Sequence, residues 1–321
     1  MERKIIGIGE TVLDVIFRND QPKSATPGGS TFNSMISLGR VVRKACPEVK
    51  ILMVTEVGDD HIGQMVTSFM EENGVGTEAV TRNPGTQTHV SMAFLDDDNN
   101  AQYEFYKDHA SASLSPEKVS SVKFSKGDLV LFGSFFAINP KIRAFTKALL
   151  EAAREAGATI YYDINFRKSH IHEIPMIMDN IIENCRLSDF VRGSDEDFGY
   201  LFGTTDPDRI YSEHIAELCP NFICTCGSRP VHVFMPGYHE TFPVPEVKTV
   251  STIGAGDNFN AGFLFGLLRE GRSETGEKNP SGRLSAAVLP ELINLACRFS
   301  ANVCASIGNN VDEDFVDTLL R

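Results

Sequence analysis

The feature that most constrains this chain is a rhythm. A short apolar run of strand length is followed by a helix-length stretch, and the alternation repeats along most of the sequence. Lys4–Gly9, Ile51–Val57, Asp128–Phe132, Thr159–Asp163, Asp189–Val191 and Phe222–Thr225 are the strand-like runs. Between them, Phe32, Met35, Ile36 and Val42 fall at helical spacing, with Arg40, Arg43 and Lys44 near that helix's C-terminus, where cations are favoured. Ile62–Glu72 reads as a helix closed by Asn73-Gly74, and Lys141–Ala156 as one ended by Gly157. The pattern predicts an α/β fold, a doubly wound and mostly parallel sheet flanked by helices. At 321 residues the chain has room for one large α/β unit with a small appendage.

Two stretches break the rhythm. Thr11–Phe17 alternates, and so does Thr88–Leu95, which is followed by the polar Asp96–Asn100 and then Gln102–Tyr106. The second set reads as a hairpin. Such strands do not fit a parallel core, so a small β-sheet projecting as a lid is expected, with strands inserted at about 11–27 and 84–111 of a single domain. The plainer alternative is an antiparallel edge on the main sheet. Gly271–Gly282 is expected to be a surface loop.

Composition narrows the function. The net charge of −13 argues against nucleic acid, which needs a basic footprint. Anionic nucleotides stay open, because backbone amides bind them locally. No apolar run approaches the ~20 residues of a membrane span, and the first ten residues turn polar too soon for a signal peptide. The seven cysteines contain no C-x-x-C pair, so they read as reduced thiols of a cytoplasmic protein. Cys224 and Cys226 are expected on opposite sides of their strand.

The chemistry concentrates in Thr249–Leu268. From Phe259 onward this stretch is apolar on nearly every face, which predicts a buried helix. Gly262 and Gly266, four apart, would let a neighbouring backbone approach closely. Gly254-Ala255-Gly256 precedes the helix, leaving its first N–H groups unobstructed for an anion. Asp257 follows in the first turn. Alone it would read as a helix cap. Beside the glycine nest it would set a proton acceptor next to a bound phosphoryl group, as transfer to an alcohol requires. The chain lacks a G-x-x-x-x-G-K-[ST] loop.

Here the chain resembles the ribokinase-like (PfkB) carbohydrate kinases, with a fructokinase-like character. That family's C-terminal motif, roughly Asp-Thr-Thr-Gly-Ala-Gly-Asp-x-Phe, is matched by Ser251-Thr-Ile-Gly-Ala-Gly-Asp-Asn-Phe259. Pro27-Gly-Gly-Ser-Thr-Phe-Asn33, Val57-Gly-Asp-Asp-His-Ile-Gly63 and Asp163-Ile-Asn-Phe-Arg167 resemble its other landmarks, in the expected order. The resemblance implies a kinase moving the γ-phosphoryl group of ATP to a sugar hydroxyl, with ATP and Mg²⁺ as the cofactors. It implies Asp257 as general base and Gly254, Ala255 and Gly256 as the anion hole. Asp14, Gly28, Gly29 and Asn33 would hold the sugar, while Thr225, Gly227 and Asn302 would lie along the nucleotide.

Asn165 and Arg167 follow a strand end, where α/β proteins bind ligands, although Arg167 is equally a candidate for a structural ion pair. Tyr103 and Tyr106 read as hairpin packing before sugar covers, and His170 and His172 as solvated side chains before metal ligands. The family commonly has Asp at the place of Ser251 and Thr at that of Ile253, in a region that often serves a monovalent cation; the loss weakens the case for K⁺. Its Asn-x-x-Glu motif, linked to Mg²⁺, is replaced by Ser194-Asp195-Glu196-Asp197, which reads as a helix cap with an acidic first turn. Metal ligands are therefore left unassigned.

Fructose leads as substrate, with a nucleoside or 2-keto-3-deoxy sugar acid as the alternative acceptor. A silent sugar-binding regulator is the rival outside catalysis. A nicotinamide dehydrogenase is disfavoured, since Gly7-Ile-Gly lacks its third glycine at Val12. An exposed lid face often pairs, so a homodimer through it is considered.

Overall fold

The structure is a computed structural model, and it describes residues 3–95, 101–106, 114, 121–271 and 286–321. The strands are β1 (Lys4–Ile8), β2 (Val12–Arg18), β3 (Gln21–Gly28), β4 (Lys50–Gly58), β5 (Val80–Asn83), β6 (Val90–Leu95), β7 (Ala101–Tyr106), β8 (Leu129–Gly133), β9 (Thr159–Asp163), β10 (Phe190–Ser194), β11 (Phe222–Cys226), β12 (Arg229–Met235) and β13 (Tyr238–Phe242). The helices are α1 (Ser30–Ala45), α2 (His61–Glu72), α3 (Ser134–Ile138), α4 (Arg143–Glu155), α5 (Ile174–Leu187), α6 (Asp195–Phe202), α7 (Pro207–Ile210), α8 (Ala255–Glu270), α9 (Leu289–Cys304) and α10 (Glu313–Leu319).

The large sheet runs β13-β12-β11-β10-β9-β8-β1-β4-β5. From β11 to β5 every neighbouring pair is parallel, and β12 and β13 add an antiparallel edge. Successive side chains leave a strand on opposite faces. Ile5, Met53, Leu131, Tyr161 and Ile223 therefore pack with α1, α8 and α9, while Ile6, Val54, Phe132, Tyr162 and Cys224 pack with α4, α5 and α6. A sheet buried on both sides needs apolar residues at every position, which is why its strands are continuous apolar runs. The expected doubly wound α/β architecture is what the chain adopts.

A second, separate sheet runs β3-β2-β6-β7. β6 and β7 form the expected antiparallel hairpin, and β2 pairs with β6 in parallel and with β3 antiparallel. It shares no strand with the large sheet, so the plainer alternative of an extra edge does not hold. The predicted turn at 96–100 and the loop at 271–282, beyond Gly271, lie outside the described residues.

One expectation is corrected. Cys224 and Cys226 lie on the same side of β11, close enough for their thiols to interact. Residues two apart in a strand share a face. Gly7, the start of the apparent dinucleotide motif, sits mid-strand, where a Cβ would come within 2.5 Å of Met35 Cγ. It is there for helix–sheet packing.

Candidate active site

Helix α8 is buried along Asp257–Leu268. Its two internal glycines act as read from their spacing. A Cβ on Gly262 would stand 2.7 Å from Ala296 Cα, and one on Gly266 would stand 2.5 Å from Leu292 Cδ2. Close packing on α9 thus anchors the helix whose tip carries Asp257.

That tip begins with Gly254, the N-cap, in the left-handed region at φ 79°. The Ala255 N–H donates to Thr252 O at 3.2 Å, so it is spent on the turn. The Gly254, Gly256 and Asp257 N–H groups have no acceptor among the described residues. The open amides at the tip are therefore those of Gly254, Gly256 and Asp257, while that of Ala255, expected among them, is engaged in the turn.

Asp257 does not cap its own helix, for no side chain makes that bond. Its carboxylate turns to α1 instead. Ser30 Oγ donates to Oδ1 at 2.7 Å and Asn33 Nδ2 donates to Oδ2 at 2.9 Å. Ser34 Oγ donates to its main-chain carbonyl at 2.7 Å. Asn165 Nδ2 in turn donates to Ser30 Oγ at 2.5 Å, from a backbone at φ 38°. Left-handed backbone is uncommon outside glycine, and asparagine is among the residues that tolerate it best. Burial raises the Asp257 pKa; the Asn33 and Ser30 hydrogen bonds and the Arg167 charge oppose that shift.

Gly28 and Gly29 join β3 of the small sheet directly to α1. A Cβ on Gly28 would fall 2.1 Å from Asp14 Oδ2, and Gly29, at φ 123°, would press on Glu10 O at 2.3 Å. Asp14 on β2 pairs with Ser91 on β6, whose hydroxyl donates to it. Burial pushes the Asp14 pKa up to about 6, the Ser91 bond pulls it down, Asp257 pushes it up and Arg167 pulls it down. Asp14, Asp257 and Arg167 thus feel one another's charge across the gap between the sheets. The Arg167 side chain is exposed and makes no hydrogen bond or ion pair among the described residues, while its carbonyl accepts the His170 N–H at 2.9 Å. Asn33 Oδ1 is buried and has no partner among the described residues.

A cluster that the sequence did not disclose lies under the α8 tip. Arg192 on β10 is buried, donates to Asp163 Oδ1 at 3.0 Å and to Thr225 Oγ1 at 2.6 Å, and stands 5.7 Å over the Phe259 ring. Asn260 Nδ2 donates to Asp163 Oδ2 at 2.7 Å, and Tyr161 OH to Asn260 Oδ1 at 3.1 Å. A Cβ on Gly256 would be 2.8 Å from Arg192 Nη1, so a buried cation sits directly beneath the open amides. A buried Arg–Asp pair costs desolvation and is weak evidence of stability. Here it tethers three strand ends and α8 together.

Thr225 joins the site through Arg192. Gly227 sits at φ 64° with no atom near a would-be Cβ, at an open strand end. Asn302 shares two hydrogen bonds with Asp312, the N-cap of α10. It is tied to that junction and makes no described contact with the Asp257 group. Tyr106 is half exposed with its hydroxyl on Glu104, and the Tyr103 side chain lies outside the described residues. His170 stacks on Phe135 at 4.0 Å and bonds Glu173 at 2.7 Å, so it packs rather than floats.

The segments tied to cations in the resemblance are committed locally. Ser194 and Asp197 form a capping box at α6, Asp195 pairs with Arg229, and Glu196 accepts from Tyr200 OH at 2.6 Å. Ser251 Oγ accepts the Ile253 N–H at 3.2 Å, and Ile253 is exposed. These residues do not fit a Mg²⁺ or K⁺ site as arranged.

The chain thus combines a three-layer α/β/α fold, with helices on both faces of the large sheet, a separate small sheet, and a buried carboxylate at a glycine-opened helix tip. Residues 3–311 match the pfkB family carbohydrate kinase family, and the chain belongs to it. It is similar to "Fructokinase-2" of Solanum lycopersicum, 28% identical over 82% of this chain and 81% of that one. It is also similar to a fructokinase of Vibrio alginolyticus, 26% identical over 81% and 83%. Among solved structures it resembles fructokinase from Vibrio cholerae O395 in its fructose, ADP and calcium ion bound form. The TM-score is 0.81, at 20% identity, covering 100% of this chain and 99% of that one. Aminoimidazole riboside kinase from Salmonella enterica, complexed with aminoimidazole riboside and an ATP analog, gives a TM-score of 0.80 at 22% identity, covering 99% and 100%.

Proposed function

We propose that this sugar kinase moves the γ-phosphoryl group of ATP to a hydroxyl of fructose or a similar monosaccharide, with Asp257 as the general base. One observation carries the reading: a buried carboxylate held by Ser30 and Asn33 at a helix tip whose neighbouring amides are open. The sugar lies between the small sheet and the large one, held by Asp14, Asn33, Asn165 and Arg167, with Gly28 and Gly29 allowing its approach. Asn33 Oδ1, which has no partner among the described residues, accepts a sugar hydroxyl. ATP runs along the strand ends past Thr225 and Gly227, with the end of α9 at Asn302 on its far side.

Asp257 takes the proton as the hydroxyl oxygen attacks the γ-phosphorus in line, and the bond from that phosphorus to the β,γ-bridging oxygen breaks to release ADP. The Gly254, Gly256 and Asp257 amides accept the charge that grows on the phosphoryl oxygens, with Arg192 behind them. The small sheet acts as the lid and excludes water, which limits idle ATP hydrolysis. Mg²⁺ enters as the counter-ion of ATP, and no step is assigned to it. The half-exposed Phe105 and Tyr106 on β7 make the lid the face through which two copies would pair.

The test is a panel of sugars, nucleosides and 2-keto-3-deoxy acids with ADP release as readout, run on wild type and on Asp257→Ala. Fructose-dependent turnover that vanishes in a folded Asp257→Ala supports the reading. A nucleoside preference moves the acceptor class. Sugar binding without any ADP release favours a silent regulator.

A further inference from the structure

The antiparallel end of the large sheet carries a cluster with no part in the chemistry above. In the β12–β13 hairpin His232 faces Thr241 and Phe234 faces His239. Strand periodicity puts His232 and Phe234 on one face, and the diagonal across the ladder brings His239 to the same face. His239 lies flat on Phe234, with ring centroids 4.0 Å apart and planes 13° apart. His232 Nδ1 is 3.3 Å from His239 Nε2. Asp208 rises from the first turn of α7, its N–H held by Asp206 Oδ1 at 3.0 Å, and its Oδ1 is 3.4 Å from His239 Nδ1. One donor atom from each of the three residues lies within 4.8 Å of the others.

We infer that Asp208, His232 and His239 form a binding site for a first-row transition-metal ion of the zinc type, clipping α7 to the outer strand of the sheet. Imidazole and carboxylate donors suit Zn²⁺, Ni²⁺ and Cu²⁺, whereas Mg²⁺ and Ca²⁺ prefer all-oxygen shells. Two donors about 2.0–2.1 Å from a tetrahedral zinc ion stand about 3.3–3.4 Å apart. The facing ring nitrogens of His232 and His239 have that spacing already. In the metal-free protein one ring N–H donates to the other ring; the ion takes that place and the displaced proton moves to the donor ring's other nitrogen, so both imidazoles stay neutral. Stacking on Phe234 holds the His239 ring, so little rotamer freedom remains to be lost on binding. Asp208 and His239 are exposed; the Asp208 carboxylate faces His239 Nδ1, across the ring from Nε2, and swings round the exposed ring edge to supply the third, anionic donor. Water completes the shell. The site differs from the Ser194–Asp197 segment in a decisive respect: its donors face one another, and not their own backbone.

The experiment is calorimetric titration of the chelator-stripped full chain with ZnCl₂, paired with thermal melts. One Zn²⁺ per chain should bind, and a ligand that binds only the folded state should raise the melting temperature. His232→Ala and His239→Ala should each weaken binding by about 10–100-fold or more, and Asp208→Asn by about 10-fold, on the scale of lost metal-site groups. Sugar-dependent turnover should be unchanged in all three, since none touches the Asp257 group. If His239→Ala does not fold, His239→Phe keeps the stack on Phe234 and removes the donor, and the same titration applies. Absence of zinc binding at millimolar concentration would overturn the site. So would unchanged affinity in either histidine variant, wild-type affinity in Asp208→Asn, or MgCl₂ binding as tightly as ZnCl₂.

Discussion

The two acids that face each other across the site are held in opposite ways. On the large-sheet side, each oxygen of Asp257 takes a protein donor, its carbonyl takes a third, and its helix is locked to α9 at Gly262 and Gly266. On the small-sheet side, Asp14 has the Ser91 hydroxyl, and burial lifts its pKa to about 6. A carboxylate tied on both oxygens keeps its direction. One tied by a single hydroxyl retains lone pairs for an incoming hydroxyl. In the proposed mechanism the first suits a base, which must be pre-aimed, and the second suits a sugar clamp, which must adapt.

Four substitutions break or sharpen that contrast. Asp257→Asn keeps acceptor and size but cannot take a proton, so kcat should fall ~10²–10⁴-fold while sugar affinity stays within a few-fold. Steady-state kinetics and a binding titration read both, and an equal loss of kcat in Asp14→Asn would erase the distinction between the two halves. Asp14→Asn should instead raise the sugar KM about 10–100-fold, the loss of a charge-assisted hydrogen bond of about 1.5–3 kcal/mol.

Gly256→Ala presses a methyl group against Arg192, which Asp163 and Thr225 hold in place. Overpacking of this kind costs about 1–3 kcal/mol, and it should lower both the melting temperature and kcat. A variant with normal turnover would mean that the buried cation has no bearing on the tip. The smallest effect belongs to Ser194→Ala, which loses the α6 cap, about 1 kcal/mol, with turnover unchanged. A collapse of turnover there would assign the capping box a role with the metal-bound nucleotide.

The contrast also has a pH signature. Asp14 ordinarily titrates at 3.8 and in the folded protein at about 6. The folded state therefore holds its proton more tightly, so the stability this group contributes is complete below pH ~4 and is lost as pH rises through about 6. Asp14→Asn cannot titrate and escapes that loss. Without sugar, the melting temperature of Asp14→Asn minus that of wild type should climb between pH ~4 and 6 and level off above, by the equivalent of about 1–3 kcal/mol. A flat difference would show that the carboxyl is ionised without penalty.

Legibility followed burial. β1, β4, β8, β9, β10 and β11 were readable because a strand covered on both faces is written as an unbroken apolar run. β12 and β13 were not: Pro230 and His232 break up the apolar residues of β12, and the edge strand β13, Tyr238-His-Glu-Thr-Phe242, is mostly polar. The Gly254–Asp257 segment stood out because nest, acid and buried helix are contiguous. Ser30 lay inside a noted motif and was passed over, since no local pattern pairs its hydroxyl with an acid 227 residues away. The Asp163–Arg192–Thr225 cluster had no local signal at all, as its members come from three different strands.

Residue order alone determined the layered fold, the separate alternating strands and the glycine-flanked acid, because periodicity, turn chemistry and helix-end donors act over a few neighbouring residues. Only the folded chain decided which way that acid points. Ser30 and Asn33 reach it from 227 and 224 residues away, and the Ala255 amide is withdrawn by a turn. Hydrogen bonds between distant segments depend on how helices and strands pack, and no local rule of spacing encodes that.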